Sequence, residues 1–249
     1  MKYTPLLLLL LLATGMTTAV AGQKTDNQKE TQEVYQLNYM EREPGVDDYE
    51  VVMLVSDRYI RIDNPGEDSG YIIYDDKLKT IFSVSHFDRS TLVIREFPFS
   101  EDASPAKSSV EYLELADAPP VSGNGIYNYR VYTGKDDAEQ TCSEIQLVEN
   151  ILPEVRAMLK NYQQVVSGQQ VKTADNTLSD VHGACFYIDQ VYNAGKYYDK
   201  GMPIQEWHSN DRFKLLTSYK KVNVSRDSFK VPENYRQFSV DKDSKLLIE

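Results

Sequence analysis

The sequence predicts a β-dominated α+β fold in which an antiparallel sheet is joined by one disulfide-tied helical segment. Three observations carry that reading. Short runs of alternating apolar and polar residues follow one another from residue 33 to residue 133, separated by turn residues. A single apolar stripe at helical spacing then runs from Val148 to Val166. The only two cysteines, Cys142 and Cys185, both lie in this second region.

The first 21 residues read as a secretory signal peptide rather than as part of the fold. Met1-Lys2-Tyr3 supplies a short positive start, residues 6–12 are an unbroken leucine run, and Ala19-Val20-Ala21 is a small-x-small cleavage site. The mature chain is expected to begin at Gly22; an uncleaved anchor is the competing reading. No cysteine follows the leucines to take a lipid, so the expected product is exported, soluble and periplasmic. Residues 22–31 are polar throughout and read as a flexible tether. Residues 32–249 are expected to form one β-rich domain with a helical insertion over about 143–195.

Strand follows strand up to Thr133. Residues 33–42 and 49–63 come first, with Tyr59 and Ile62 facing in, Arg58 and Arg61 facing out and Ile60 open to either side, before Asn64-Pro65-Gly66 breaks the run. Residues 71–74 and 80–85 flank Asp75-Asp76-Lys77 at hairpin spacing. A second turn at 86–90 returns the chain as 91–97, and 109–115 and 126–133 alternate again. This is the pattern of an antiparallel meander. The stripe Val148, Leu152, Val155, Leu159, Tyr162, Val166 is helical; Ser143 with Gln146 suits a capping box, and Gly168 suits the stop. Pro153 either kinks this helix or marks its first turn, with Asn150 as cap. A second helical stretch fits 185–192, and β character returns over 204–208, 213–224 and 229–231.

An even cysteine count in an exported chain reads as a disulfide, Cys142–Cys185, worth about 4 kcal/mol from chain entropy. Charge is uneven. The chain has 38 acidic and 27 basic side chains, a net of −11, and residues 22–141 hold 24 acidic against 12 basic. With no basic tract, nucleic-acid binding is excluded. Beyond the leader no apolar run approaches the ~20 residues of a membrane span.

No residue set announces catalysis or a metal. His86 sits in a turn beside Asp88, His182 lies near Cys185, and His208 follows Trp207 at a strand end. None has zinc-ligand spacing. Nucleophile elbows and phosphate cradles are absent. The acidic pairs Asp47-Asp48, Asp75-Asp76 and Asp136-Asp137 suit turn chemistry, and Asp63, Glu67 and Asp68 lack the twelve-residue calcium loop. No cofactor is expected. Tyrosine is abundant, with 18 in the chain. Such rings either pack on half-exposed sheets or line a concave surface for a lipid chain or glycan.

The runs at residues 56–63, 70–75 and 80–84, with the closing runs 215–219 and 229–232 and Tyr235, resemble exported bacterial domains of the lipoprotein-carrier-like (Lol-type) half-barrel fold. The resemblance implies a curved antiparallel sheet, an incomplete barrel whose concave side is plugged by helices, and an acyl-chain ligand. The central helical segment departs from that pattern, and no site is carried over. The expected function is therefore a non-catalytic cell-envelope protein. It would hold a lipid or other apolar ligand between sheet and helix, lined by Val148, Leu152, Val155, Leu159, Tyr162 and Trp207. An envelope protein partner docking on the acidic β half is the alternative. A hydrolase would need one of the three histidines against an acid in a cleft.

Overall fold

Alternating burial marks the strands of the computed structural model, which describes residues 30–63, 70–134, 139–175 and 182–239. Twelve strands form one sheet: β1 (Thr31–Arg42), β2 (Tyr49–Val55), β3 (Tyr59–Asp63), β4 (Tyr71–Asp75), β5 (Thr80–Ser85), β6 (Ser90–Arg95), β7 (Ser108–Glu114), β8 (Ile126–Thr133), β9 (Gln140–Val148), β10 (Met202–His208), β11 (Phe213–Ser225) and β12 (Arg236–Ser239). Their order is β12-β6-β5-β4-β3-β2-β1-β11-β10-β9-β8-β7, antiparallel except that β12 runs parallel to β6. The sheet is open, with β12 and β7 at its two edges.

One helix, α1 (Pro153–Asp175), fills the inner side. Val155, Met158, Leu159 and Val165 of α1 share one core with Ile81 of β5, Tyr74 of β4, Leu37 of β1, Ile145 of β9 and Tyr129 of β8. Nine strands laid flat from β5 to β8 would spread over about 38 Å, several times the width of a helix. The sheet can meet one helix along that span only by curving around it. Register shifts at Asn38/Tyr39, Val131/Tyr132 and Pro203/Gln205 supply local bends.

Two connections tie the sheet's ends. Residues 96–107 lead from β6 to β7 at the far edge, a chain that reaches at most about 40 Å. They cross the inner side, where Phe97 lies on Gly168 and Phe99 meets the Tyr192 ring at 5.8 Å. Residues 226–235 cross the outer side between β11 and β12. There Phe229 stacks on Tyr59 at 5.6 Å, the Arg61 guanidinium donates to the Ser228 carbonyl, and the Tyr71 hydroxyl donates to that of Lys230. Phe229 joins a second small core with Val34, Tyr71, Ile73 and Val84. Burial on both faces explains why β4 is almost continuously apolar.

Several sequence expectations shift in detail. Residues 143–148, expected to open the helix, belong to β9, which pairs with β8 and β10. Its buried Ile145 and Leu147 alternate with half-buried Glu144 and Gln146. Pro153 is the first helical residue, with no kink, and the Arg156 amide donates to the Leu152 carbonyl, so Leu152 rather than Asn150 stands at the cap. The helix does not stop at Gly168. That glycine sits where the Phe97 backbone passes so close that a Cβ would lie 2.5 Å from its carbonyl oxygen. In β3, Ile60 is the fully buried residue, while Tyr59 and Arg61 face the outer connection. Residues 229–231 are not a strand; a 3₁₀ turn, Arg226–Phe229, precedes β12. Thr31, expected at the end of the tether, already pairs with Ser225, and residues 22–29 lie outside the described residues. The leader and the Asn64-Pro65-Gly66 break lie outside the described residues. Among those described, no helix is long and apolar enough to cross a membrane.

Cys142 and Cys185 are bonded, across a sequence separation of 43. The bridge fastens the turn Ala184–Phe186 and the π-helical Tyr187–Tyr192 to β9. Replacing both cysteines by serine is expected to cost about 4 kcal/mol, read as a lowered urea midpoint. Gly168→Ala is expected to cost about 1–3 kcal/mol by pushing the 96–107 connection off α1, measured the same way.

Candidate functional site

The inner side is not completely filled. A cleft of about 340 Å³ remains between the middle turns of α1 and the sheet. Leu159, Tyr162 and Val166 form its helical wall, three residues that recur on one face of α1. Val51 and Met53 of β2, Ile62 of β3 and Ile72 of β4 form its floor. Most of the remaining lining is polar and comes from Glu41, Arg42 and Glu43 at the end of β1, Asp189 and Gln190 of the π-helical turn, Glu206 and His208 of β10, and Arg212 and Lys214 at the start of β11.

Alternation along β10 sets part of that polar lining. Glu206 and His208 share a face, and Trp207 points to the other, 37% exposed and against the Phe213 ring. His208 is largely enclosed, with its Nδ1 3.4 Å from Asp189 Oδ2 and its Nε2 3.8 Å from Glu206 Oε2. The Tyr197 hydroxyl donates to Glu206 at 3.0 Å, and the Ser143 hydroxyl donates to Asp189 at 2.9 Å. The disulfide makes this possible: it holds the segment carrying Asp189 beside the β9 residue Ser143, which is the strand partner of His208.

Charges here are mutually stabilised. Burial alone would lower the His208 pKa, but hydrogen bonding and attraction from Asp189 and Glu206 raise it to about 9. Burial would raise Glu206, yet His208, Lys214 and Tyr197 hold it below the usual carboxylate value. Burial, reinforced by Glu206, pushes Tyr39, Tyr197 and Tyr198 well above the ordinary phenol value, and burial lifts Tyr162 to about 12. At neutral pH the site thus holds an imidazolium between two carboxylates and a set of neutral phenols. With both ring nitrogens protonated and turned toward carboxylates, His208 has no lone pair to serve as a base.

Of the residues predicted to line a cavity, Leu159 and Tyr162 line this cleft. Val155 lines a separate hollow of about 450 Å³ between α1 and strands β1 and β2, Val148 and Leu152 are buried in the packed core, and Trp207 faces away. Arg212 lines the cleft as well. Its Nη1 donates to Gln190 Oε1 at 3.2 Å, and among the described residues it makes no ion pair. Arg42 instead binds Asp48, and Lys214 binds Glu41. Val51, Met53, Ile62, Ile72 and Arg212 went unseen as a set in the sequence because they come from four separate stretches of chain; the alternation in β2 was the available signal.

The remaining candidates lie elsewhere. His86 is exposed, its Nδ1 2.8 Å from the Tyr235 hydroxyl, and His182 stacks on Phe186 at 3.9 Å. Asp75 binds Arg58, and Asp76 accepts from Tyr74, Lys79 and Asn161. Asp63 accepts from Arg61, while Glu67, Asp68, Asp136 and Asp137 lie outside the described residues. Among the described residues no group of His, Cys, Asp and Glu is placed to hold a metal.

No family model and no curated protein matches the chain. Among solved structures it is similar to an uncharacterized conserved protein from Thermus thermophilus, at 8% identity and TM-score 0.40 over 86% of this chain and 92% of that one. It is also similar to PNGF-II in a C2 crystal form, at 9% identity and TM-score 0.38 over 85% of this chain and 31% of that one.

The His208 charge has a defined pH signature. Its folded pKa lies above the unfolded 6.5, so its stabilisation is complete below about pH 6.5 and is lost as pH rises through about 9. Glu206 is depressed, so its share is present above about pH 4.5 and fades as acid is added. Stability is expected to peak near pH 5–6.5 and to fall by on the order of 3 kcal/mol toward pH 10. His208→Gln should flatten that alkaline fall in melts taken across the same range.

Proposed function

We propose that the protein is an exported, non-catalytic cell-envelope protein that holds a small amphipathic ligand with an acidic head in the cleft between α1 and the sheet. The apolar body would lie against Val51, Met53, Ile62, Ile72 and Val166, and the head would meet Arg212. The observation that carries this reading is Arg212: it is a cation in the polar lining of an apolar-floored cleft, with no carboxylate of its own among the described residues. Arginine is suited to carboxylate or phosphate heads because its fork donates two parallel hydrogen bonds. At about 340 Å³ the cleft lies near the small end of ligand pockets, ~300–1,000 Å³, so it suits a short acyl or aryl body. The half-barrel resemblance and its acyl-chain ligands point the same way.

Docking of an envelope partner on the acidic β half is a weaker reading. Two of those acids, Glu33 and Glu41, are already met by Lys221 and Lys214 of β11. A hydrolase is weaker still, since His208 is charged and engaged on both nitrogens.

Anilinonaphthalene sulfonate, an anion with an apolar body, is the probe. It is expected to bind the purified protein at one site and to be displaced by short fatty acids. Arg212→Ala should weaken it about tenfold, the loss of one charge-assisted contact. Binding unaffected by Arg212→Ala would end this assignment. Native mass spectrometry of protein prepared without detergent should show an excess mass that extracts into organic solvent.

A further inference from the structure

A second hollow, of about 550 Å³, lies where the 96–107 connection passes over α1 and the segment 191–200. It shares no lining residue with the cleft of Arg212 and uses an adjacent face of α1. We propose that this hollow binds a small anionic sugar, a hydroxylated ring that carries a carboxylate or phosphate.

Three independent features support that chemistry. The first is aromatic. Phe97, Phe99 and Tyr192 are half-buried around the hollow, with Phe99 edge-on to Tyr192, an aromatic lining of the kind on which the apolar C–H face of a sugar packs. The second is charge. Lys160, Lys196 and Lys200 line the hollow with two carboxylates, Glu96 and Asp199, and Lys160 binds Asp199 at 2.6 Å, so the formal balance is one positive charge in a chain whose net charge is −11. Lys172 adds a further cation 4.6 Å over the Phe97 ring. That local excess favours an anion over a neutral ligand in the hollow.

The third feature is an unmet hydrogen bond. Ser167 lines the hollow, is 1% exposed, and its hydroxyl has no partner among the described residues. A serine inside a helix ordinarily returns its hydroxyl to a carbonyl of the preceding turn. Here it does not, and a buried hydroxyl left alone is destabilising unless something arrives to satisfy it. A sugar hydroxyl does so, whereas a hydrocarbon chain does not. Gln164, from the same wall, offers a second amide to a polyhydroxylated ring.

Calorimetric titration of the purified protein with glucuronate, glucose 6-phosphate, glucose and benzoate tests the assignment. Both anionic sugars are expected to bind, at least about tenfold more tightly than glucose. Ser167→Ala should weaken them about fivefold while leaving the unliganded melting temperature equal or higher, because it removes an orphaned polar group. Arg212→Ala should leave their affinity unchanged, which separates this site from the amphipathic-ligand cleft. Absence of binding by both anionic sugars overturns the proposal. So do equal affinity for glucose, binding of benzoate alone, an unaltered affinity in Ser167→Ala, and a loss of affinity in Arg212→Ala.

Discussion

The requirement that one helix cover a sheet of twelve strands shapes most of this molecule. A 23-residue helix offers one apolar face and cannot meet strands that lie flat beside it. The sheet bends until β5 and β8, far apart in its order, contribute to the same core. The other features follow from that bend. Bulges sit in β11, β9 and β10, a connection spans the concave side, a strap after β11 covers the convex side, and a disulfide pins the second helical segment. The same bend leaves hollows beside the helix, because a curved wall of β-strands and a straight cylinder do not match along their whole length.

Much of this was legible in local sequence. The hairpin around Asp75-Asp76-Lys77, the turn after Ser85, most strands of the first half and the cysteine pairing depend on short-range chemistry and are found where the sequence placed them, whereas the single run read over 49–63 is a hairpin of β2 and β3. The start of the helix was harder to read. Val148 lies four positions before Leu152, so a residue that ends a strand fell in phase with a helical stripe. Gly168 looked like a stop because a helix sequence does not reveal that another segment will pass across its surface. Trp207 illustrates a similar limit: a large aromatic suggests a cavity, but its neighbours Glu206 and His208 took the inward positions.

Electrostatics shows the gap between chain order and space most clearly. By sequence the first half is strongly acidic and the second half neutral. In the fold the two halves are interleaved, because β1 lies against β11 and acids of one strand meet lysines of the other. Inside, a histidine and two carboxylates share a largely enclosed pocket, where Asp189 and Glu206 keep His208 charged and His208 helps keep Glu206 ionised. Strand alternation joins Glu206 to His208, but no spacing rule brings in Asp189. Packing, and the disulfide behind it, brings them together.

The β1–β11 seam has a consequence in time as well as in space. Thr31 pairs with Ser225 and Arg42 with Phe213, so β1 has to wait for a neighbour that is made about 170 residues later. Until that neighbour exists, β1 can pair only with β2 and presents twelve residues of open backbone on its other side. Contacts of such long sequence separation make folding slow and leave an adhesive edge exposed while it proceeds. A sheet of this topology therefore cannot close its centre until β11 has been made.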